Sequence, residues 1–402
     1  MQFITNGKKY TDPKLVAQGG EGSVHAIEPD TLAKIYEKTL LHTEPRRKQK
    51  VAALCDSFHS FAHIGRTVLS AAFPQFPAYE RFESLADILG FSMQWYKDAP
   101  EIDRIGFNLE AKAFNQDKGI CFDDKRALAF IYNIFEAVDQ LHAARIILGD
   151  VNPRNILYNP ATKLPVFIDL DAAQIGNFPC LTTLDLYNDP ALEHGPKTLA
   201  GGYVFDTGTD IFALAVVCFE FWIGFRPHVL RRMPVRPQKG DVENKRLGIS
   251  SLKCFALGRD YLSKLGVTYI DGPENQAVER RIAQLQTQDR PLYDFFVAVF
   301  VHGERENLLL SLPVKDRRHP GYRFLADPDF MAIIDAAEQK RKASAVQARQ
   351  GYIKPRATAD RDFVTLIDSM STATNRPTPR KPQPRPDPAA LRYFLDHFNL
   401  GV

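Results

Sequence analysis

The 402-residue sequence lacks any C-x-x-C pair and any regular cysteine spacing. Its five cysteines, Cys55, Cys121, Cys180, Cys218 and Cys254, are odd in number and far apart, which suits neither a disulfide framework nor a zinc site. They are expected to be reduced thiols, and reduced thiols point to the cytoplasm. A surplus of one charge is missing too. With 51 basic against 48 acidic side chains the net charge is +3, too small for bulk attraction to nucleic acid or membrane, so neither is expected as a partner. Long apolar runs are also absent: the longest, 211–225, contains Glu220 and is too short to span a bilayer, so it reads as a buried helix. Residues 1–10 show no apolar run followed by a cleavage site, and no secretory signal is read there. No internal repeat is evident.

What is present is ordinary globular composition, 45% hydrophobic, enough for one large core or two modest ones. Strand patterns over 15–27 and 31–36, joined by Glu28, Pro29 and Asp30, predict a hairpin carrying glycines. Thr43 is placed to cap a helix with Pro45 in its first turn. Val51, Leu54, Cys55 and Phe58 give that helix an apolar face, and Arg46, Arg47, Lys48 and Lys50 give it a basic face that reads as solvated surface. Two further strands are predicted over 78–82 and 88–96, and a long amphipathic helix over 124–142, after which helices dominate.

A strand-rich first quarter followed by a helical remainder predicts an α+β chain, a small sheet lobe stacked on a helical lobe. The expected division is 1–97 for the first lobe, 98–338 for the second, a linker over 339–388 and a short helix over 389–402. In the linker, proline alternates with arginine and lysine from 376 to 388, a composition that favours extended polyproline II. Leu391, Phe394, Leu395 and Phe398 then recur at helical spacing behind Asp387 and Pro388. That segment reads as a docking helix, for its own domain or for a protein partner.

The strongest chemical signal is Leu148-Gly149-Asp150-Val151-Asn152-Pro153-Arg154-Asn155-Ile156-Leu157, followed after one hairpin by Phe167-Ile168-Asp169-Leu170-Asp171. It places metal-competent and basic oxygens on two adjacent loops. Phosphoryl transfer asks a protein mainly to hold magnesium on the phosphates and to orient an attacking hydroxyl. An Asp and an Asn supply hard oxygen ligands, and a second Asp can accept the hydroxyl proton.

These residues resemble the protein-kinase superfamily, whose catalytic loop is H-R-D-x-x-x-x-N and whose metal loop is D-F-G. The resemblance implies a bilobal kinase-like fold binding ATP and Mg2+, with Asp150 as catalytic base, Asn155 and Asp169 as metal ligands and Leu157 as the floor of an adenine pocket. Gly19, Gly20, Gly22 and Val24, in the run Ala17 to Val24, resemble the kinase glycine-rich loop. Leu32-Ala33-Lys34 resembles its V-A-I-K strand, which makes Lys34 the phosphate-binding lysine. Glu44 is the candidate acidic partner for Lys34. Met93, Gln94 and Trp95 resemble the gatekeeper and hinge, and Asp210, opening the run to Ala215, resembles the aspartate that holds the catalytic loop.

The departures are informative. Gly149 replaces the arginine of H-R-D, which removes the usual basic partner for a phosphate on the following segment. Asn152 stands where kinases carry a lysine facing the γ-phosphate, and is the candidate for part of that catalytic task. Leu170-Asp171 replaces Phe-Gly, and Asp189-Pro190-Ala191 stands near the expected A-P-E, with Glu193 as a displaced glutamate. The combination is similar to bacterial YegI-type Ser/Thr kinases. Three functions are compatible: a Ser/Thr protein kinase working with a protein substrate or regulatory partner, a small-molecule phosphotransferase of the aminoglycoside or choline kinase type, and a pseudokinase acting as a nucleotide-gated binding module.

Overall fold

The computed structural model of the chain describes residues 1–61, 70–106, 124–143, 145–180, 183–197, 202–230, 232–233, 240–258, 260–266, 268–269 and 272–306. Cys121, the linker and the expected docking helix lie outside them.

The strands of the first part are β1 (Gln2–Thr5), β2 (Lys8–Thr11), β3 (Lys14–Gln18), β4 (Gly22–Glu28), β5 (Thr31–Tyr36), β6 (Ser70–Ala71), β7 (Phe76–Tyr79) and β8 (Ile88–Gln94). All but β6 form one curled antiparallel sheet in the order β2-β1-β7-β8-β5-β4-β3. The opening hairpin turns at Asn6 and Gly7, both at positive φ, a pairing that matches the right-handed twist of two-residue hairpins. The strand expected over 15–27 is two strands, broken at the glycines, where the Gly19 amide donates to the Gly22 carbonyl at 2.9 Å. Gly22 is enforced by packing: a Cβ there would lie 2.1 Å from the Ile35 carbonyl oxygen.

Helices α1 (Lys38–Thr43) and α2 (Arg46–Phe61) follow β5. Thr43 closes α1 and does not cap α2, because its hydroxyl donates back to the Thr39 and Leu40 carbonyls. The apolar face of α2 is as expected, with Val51, Leu54 and Cys55 buried. Its basic face is divided: Arg46 is exposed as expected, whereas Arg47 and Lys50 are buried, each with oxygen partners. Phe3, Ile35, Tyr36, Leu41, Val51 and Phe91 pack into the core of this lobe.

The second part is mainly helical: α3 (Asp124–Ala143), α4 (Ala191–His194), α5 (Thr207–Ile223), α6 (Gly240–Arg246), α7 (Ser251–Leu257), α8 (Asp260–Lys264), α9 (Pro273–Gln288) and α10 (Arg290–Phe300). The short strands are β9 (Ile146–Ile147), β10 (Ile156–Tyr158), β11 (Pro165–Phe167), β12 (Gln174–Ile175), β13 (Arg232–Met233) and β14 (Thr268–Tyr269). The apolar run 211–225 forms most of α5 and is buried almost throughout. Asp206 and Thr209 make a capping box at its start, and Gly224 ends it at φ 89°. Phe130, Phe135, Phe219, Trp222, Phe295 and Phe296 fill the large core around it.

This is a kinase-like bilobal α+β fold. Among the contacts that cross the lobes near the loops of interest, β6 adds in parallel to β11 and Leu54 of α2 joins the larger core. The four described cysteines, Cys55, Cys180, Cys218 and Cys254, are buried thiols. Among the described residues no helix is long and apolar enough to cross a membrane.

Candidate active site

The loop between β9 and β10 carries Asp150, Asn152 and Asn155, and it is held from below by one buried carboxylate. Asp210, in the first turn of α5, accepts from the Leu148 amide at 2.7 Å, the Gly149 amide at 2.8 Å and His142 Nε2 at 2.9 Å. These charge-assisted bonds fix the backbone immediately before Asp150. His142, at the end of α3, therefore serves as part of this support.

Within the loop the amides face inward. Asn152 is 2% exposed; its Oδ1 accepts from the Arg154 amide at 3.0 Å and its Nδ2 donates to the Asp150 carbonyl at 3.3 Å. Asn155 donates from Nδ2 to the Asp150 carbonyl at 3.0 Å and to Asp150 Oδ2 at 3.1 Å. The second carboxylate oxygen, Asp150 Oδ1, is buried with no hydrogen-bond partner among the described residues. Burial raises the Asp150 carboxyl above its ordinary range, against the lowering pull of the Asn152 and Asn155 amides. A carboxylate made more basic by burial is suited to accept a proton.

Asp169 follows β11 and sits at φ 60°, a left-handed conformation that aspartate adopts more readily than most residues and that marks functional turns. Its Oδ1 lies 2.7 Å from Lys34 Nζ. Lys34 also donates to Asp171 Oδ1 at 3.0 Å and Oδ2 at 2.8 Å, and to Glu21 Oε2 at 3.4 Å. Burial pulls the Lys34 ammonium down, but Asp171, Asp169 and Glu21 outweigh it and hold the group charged. Burial and the like charge of Asp171 push the Asp169 carboxyl up to about 6 although Lys34 opposes them. Asp171 is also buried, yet Lys34 and the Tyr36 hydroxyl, at 2.6 Å, keep it below the ordinary range.

Lys34 and Asp169, 135 residues apart, are thus in contact. Asp150, Asn155 and Asp169 line one small cavity. Glu44 is not the partner of Lys34: it caps the end of α1 and accepts from Arg47 at 2.9 Å. Arg47 in turn donates to Glu21 at 3.1 Å. Met93 and Gln94 end β8, with Met93 opposite Leu32 in the register, and the Trp95 amide donates to the Asp30 carbonyl at 2.8 Å. Val24 pairs with Lys34 across β4 and β5, and Leu157 lies on β10 bridged to Glu101.

Four contributors were not assigned from the sequence: Glu21, Tyr36, Asp171 and Lys50. The last donates to the Ala172 carbonyl at 3.0 Å and the Pro179 carbonyl at 3.1 Å. Asp171 alone had a readable signal, as an acid where D-F-G has glycine. Farther along, Asp189 is buried and pairs with Arg305, while Glu193 pairs with Arg246 at the surface.

No protein-family model matches the chain. Partial likenesses to curated proteins are found: 31% identity over 108 residues to an Aurora kinase of Debaryomyces hansenii, covering 26% of this chain and 25% of that one. Aurora kinase A-A of Xenopus laevis is 27% identical over 106 residues, 26% of this chain and 25% of its own. An Aurora kinase of Patiria pectinifera is 28% identical over 119 residues, 29% and 27% respectively. The chain spans about a quarter of the length of these relatives. With the bilobal fold and the order of the site residues, these likenesses support a relationship to the protein-kinase superfamily.

Proposed function

We propose that this chain is an ATP- and Mg2+-dependent phosphotransferase acting on serine or threonine hydroxyls of a protein substrate, with an atypical catalytic loop of the YegI type. The observation that carries this reading is the contact of Lys34 with Asp169 across the lobes, together with the small cavity that Asp169 lines with Asp150 and Asn155.

The donor set fits a hard cation. Asp169 supplies carboxylate oxygens, and Asn155, whose Nδ2 is spent on Asp150, keeps its Oδ1 as the remaining donor. Magnesium bound there would neutralise charge on the phosphates. Lys34 would meet the α and β phosphates, and the amides of Gly19, Gly20 and Gly22 would cover them. Leu32, Val24, Met93 to Trp95 and Leu157 would enclose the adenine. Asp150 would hold the acceptor hydroxyl and take its proton on the carboxylate as the hydroxyl oxygen bonds to the γ-phosphorus and the bond from that phosphorus to the ADP oxygen breaks. Asn152 contributes by bracing Asp150 through its carbonyl. The buried cysteine thiols favour a cytoplasmic setting.

The test is incubation of the wild type, Asp150→Asn and Asp169→Ala with γ-labelled ATP, magnesium and a generic protein substrate. Label on protein, lost in both variants, is the expected result. Label on a small molecule instead would assign a small-molecule kinase. Magnesium-dependent ATP binding without transfer would overturn the enzymatic reading in favour of a nucleotide-gated module.

A further inference from the structure

We infer that Asp171, held by Tyr36, is the positioning residue for Lys34, so that the lysine is aligned from the metal loop and not from helix α2. The inference rests on the phosphotransferase reading for its consequence, but not for its geometry.

Three carboxylates touch the Lys34 ammonium, and they differ in how firmly they are held. The Asp171 side chain is 1% exposed, against 28% for Glu21 and 40% for Asp169. Asp171 engages Lys34 through both oxygens and has a second donor in the Tyr36 hydroxyl at 2.6 Å. Asp169 offers one oxygen at 2.7 Å, and Glu21 one at 3.4 Å from a glycine-rich turn. An enclosed, doubly bonded carboxylate is a fixed partner, whereas the two more exposed ones can exchange toward solvent or a cation. When Asp169 turns to a metal ion, Asp171 keeps Lys34 in place.

The polarity of the helix contact is reversed to match. Helix α2 presents basic groups to this region: Arg47 to Glu21 and Glu44, and Lys50 to the carbonyls of Ala172 and Pro179. Lys50 therefore fixes the backbone next to Asp171. Glu44, which caps α1 and pairs with Arg47, takes no part in holding the lysine. Lys34 and Asp169 become one unit, since the segment that carries the metal ligand also carries the anchor of the lysine.

The experiment has a nucleotide-free readout and a kinetic one. Lys34 is pulse-labelled with acetic anhydride in the full-length wild type, Asp171→Asn and Tyr36→Phe, and its acetylation rate is read by peptide mass spectrometry. Loss of the fixed carboxylate frees the amine, so the Lys34 rate is expected to rise about tenfold in Asp171→Asn and a few-fold in Tyr36→Phe. For the kinetics, kcat/KM for ATP is expected to fall on the order of 100-fold in Asp171→Asn with the KM of the protein acceptor unchanged. An unchanged labelling rate and unchanged kcat/KM in a folded Asp171→Asn overturn the inference. If that variant loses its cooperative unfolding transition, Tyr36→Phe decides, and an unchanged Lys34 rate there overturns it. If the wild type transfers no phosphate, the function is refuted while the labelling still decides the role of Asp171.

Discussion

Gly149 lies directly against Cys180: a Cβ on the glycine would sit 2.7 Å from the cysteine Cβ and 2.8 Å from its Sγ. The same glycine is at φ 71°, and it precedes Asp150 in the loop tied to Asp210. Restoring an arginine here, as in H-R-D, is thus opposed by backbone and packing together. Gly149→Ala is expected to cost about 2–5 kcal/mol, from the left-handed backbone and the overpacking combined. Chemical denaturation measures it, and the double variant Gly149→Ala/Cys180→Gly should recover the steric part.

On the proposed function, Glu21 would compete with phosphate for Lys34. Its two oxygens lie 3.4 Å from Lys34 Nζ and 3.1 Å from Arg47, and it sits in the glycine-rich turn where phosphates would approach. Neutralising a partly exposed competitor of this kind is worth a few tenths to about 1 kcal/mol. Glu21→Gln is therefore expected to tighten Mg-ATP binding roughly two- to fivefold, as read by calorimetry. Weaker binding would assign Glu21 a supporting role instead.

Arg305 ties the end of α10 to the segment before α4. Its Nη2 is 3.2 Å from Asp189 Oδ1, an oxygen that also accepts from the Ala191 amide at 3.0 Å. The Asp189 side chain is enclosed, so Arg305→Ala would leave a buried charge without its partner. The expected loss is about 3 kcal/mol in unfolding free energy. The double variant Asp189→Asn/Arg305→Met should lose less than Arg305→Ala alone, because no charge is then stranded.

His228 makes stability depend on pH. The ring is stacked on Phe212 and edge-on to Phe300, with Nδ1 2.9 Å from the Ile249 carbonyl. Burial lowers its pKa from 6.5 to about 4. As pH falls through 6.5 the unfolded chain takes up the proton while the folded chain does not, so stability present above pH 6.5 is lost progressively down to about pH 4. The full loss is about 3 kcal/mol. A His228→Gln variant should show a flatter stability profile over that window in urea titrations at stepped pH.

The local parts of this protein were legible because local rules set them. The 124–142 helix was placed by its apolar period, and the strand of Lys34 by alternation. Asp150, Asn155 and Asp169 share one cavity, since a short loop and one hairpin leave few ways to separate their oxygens. The opening hairpin turns on Asn6-Gly7, a local signal of the same kind. The break at Gly19 and Gly20 was hidden inside one continuous strand-like pattern.

By itself, then, the sequence determined the succession of elements, the buried helix around Trp222 and the identity of the two chemical loops, all of which follow from periodicity and turn chemistry over a few residues. Only the tertiary structure decided who meets Lys34. Asp171 reaches it across 137 positions, Glu44 turns to Arg47 three residues away, and Arg47 and Lys50 are drawn inward from a face that looks solvated. Those choices depend on which groups are shut away from water together, where charge pairing becomes strong and an unpaired charge costly. No local pattern in the chain encodes that enclosure.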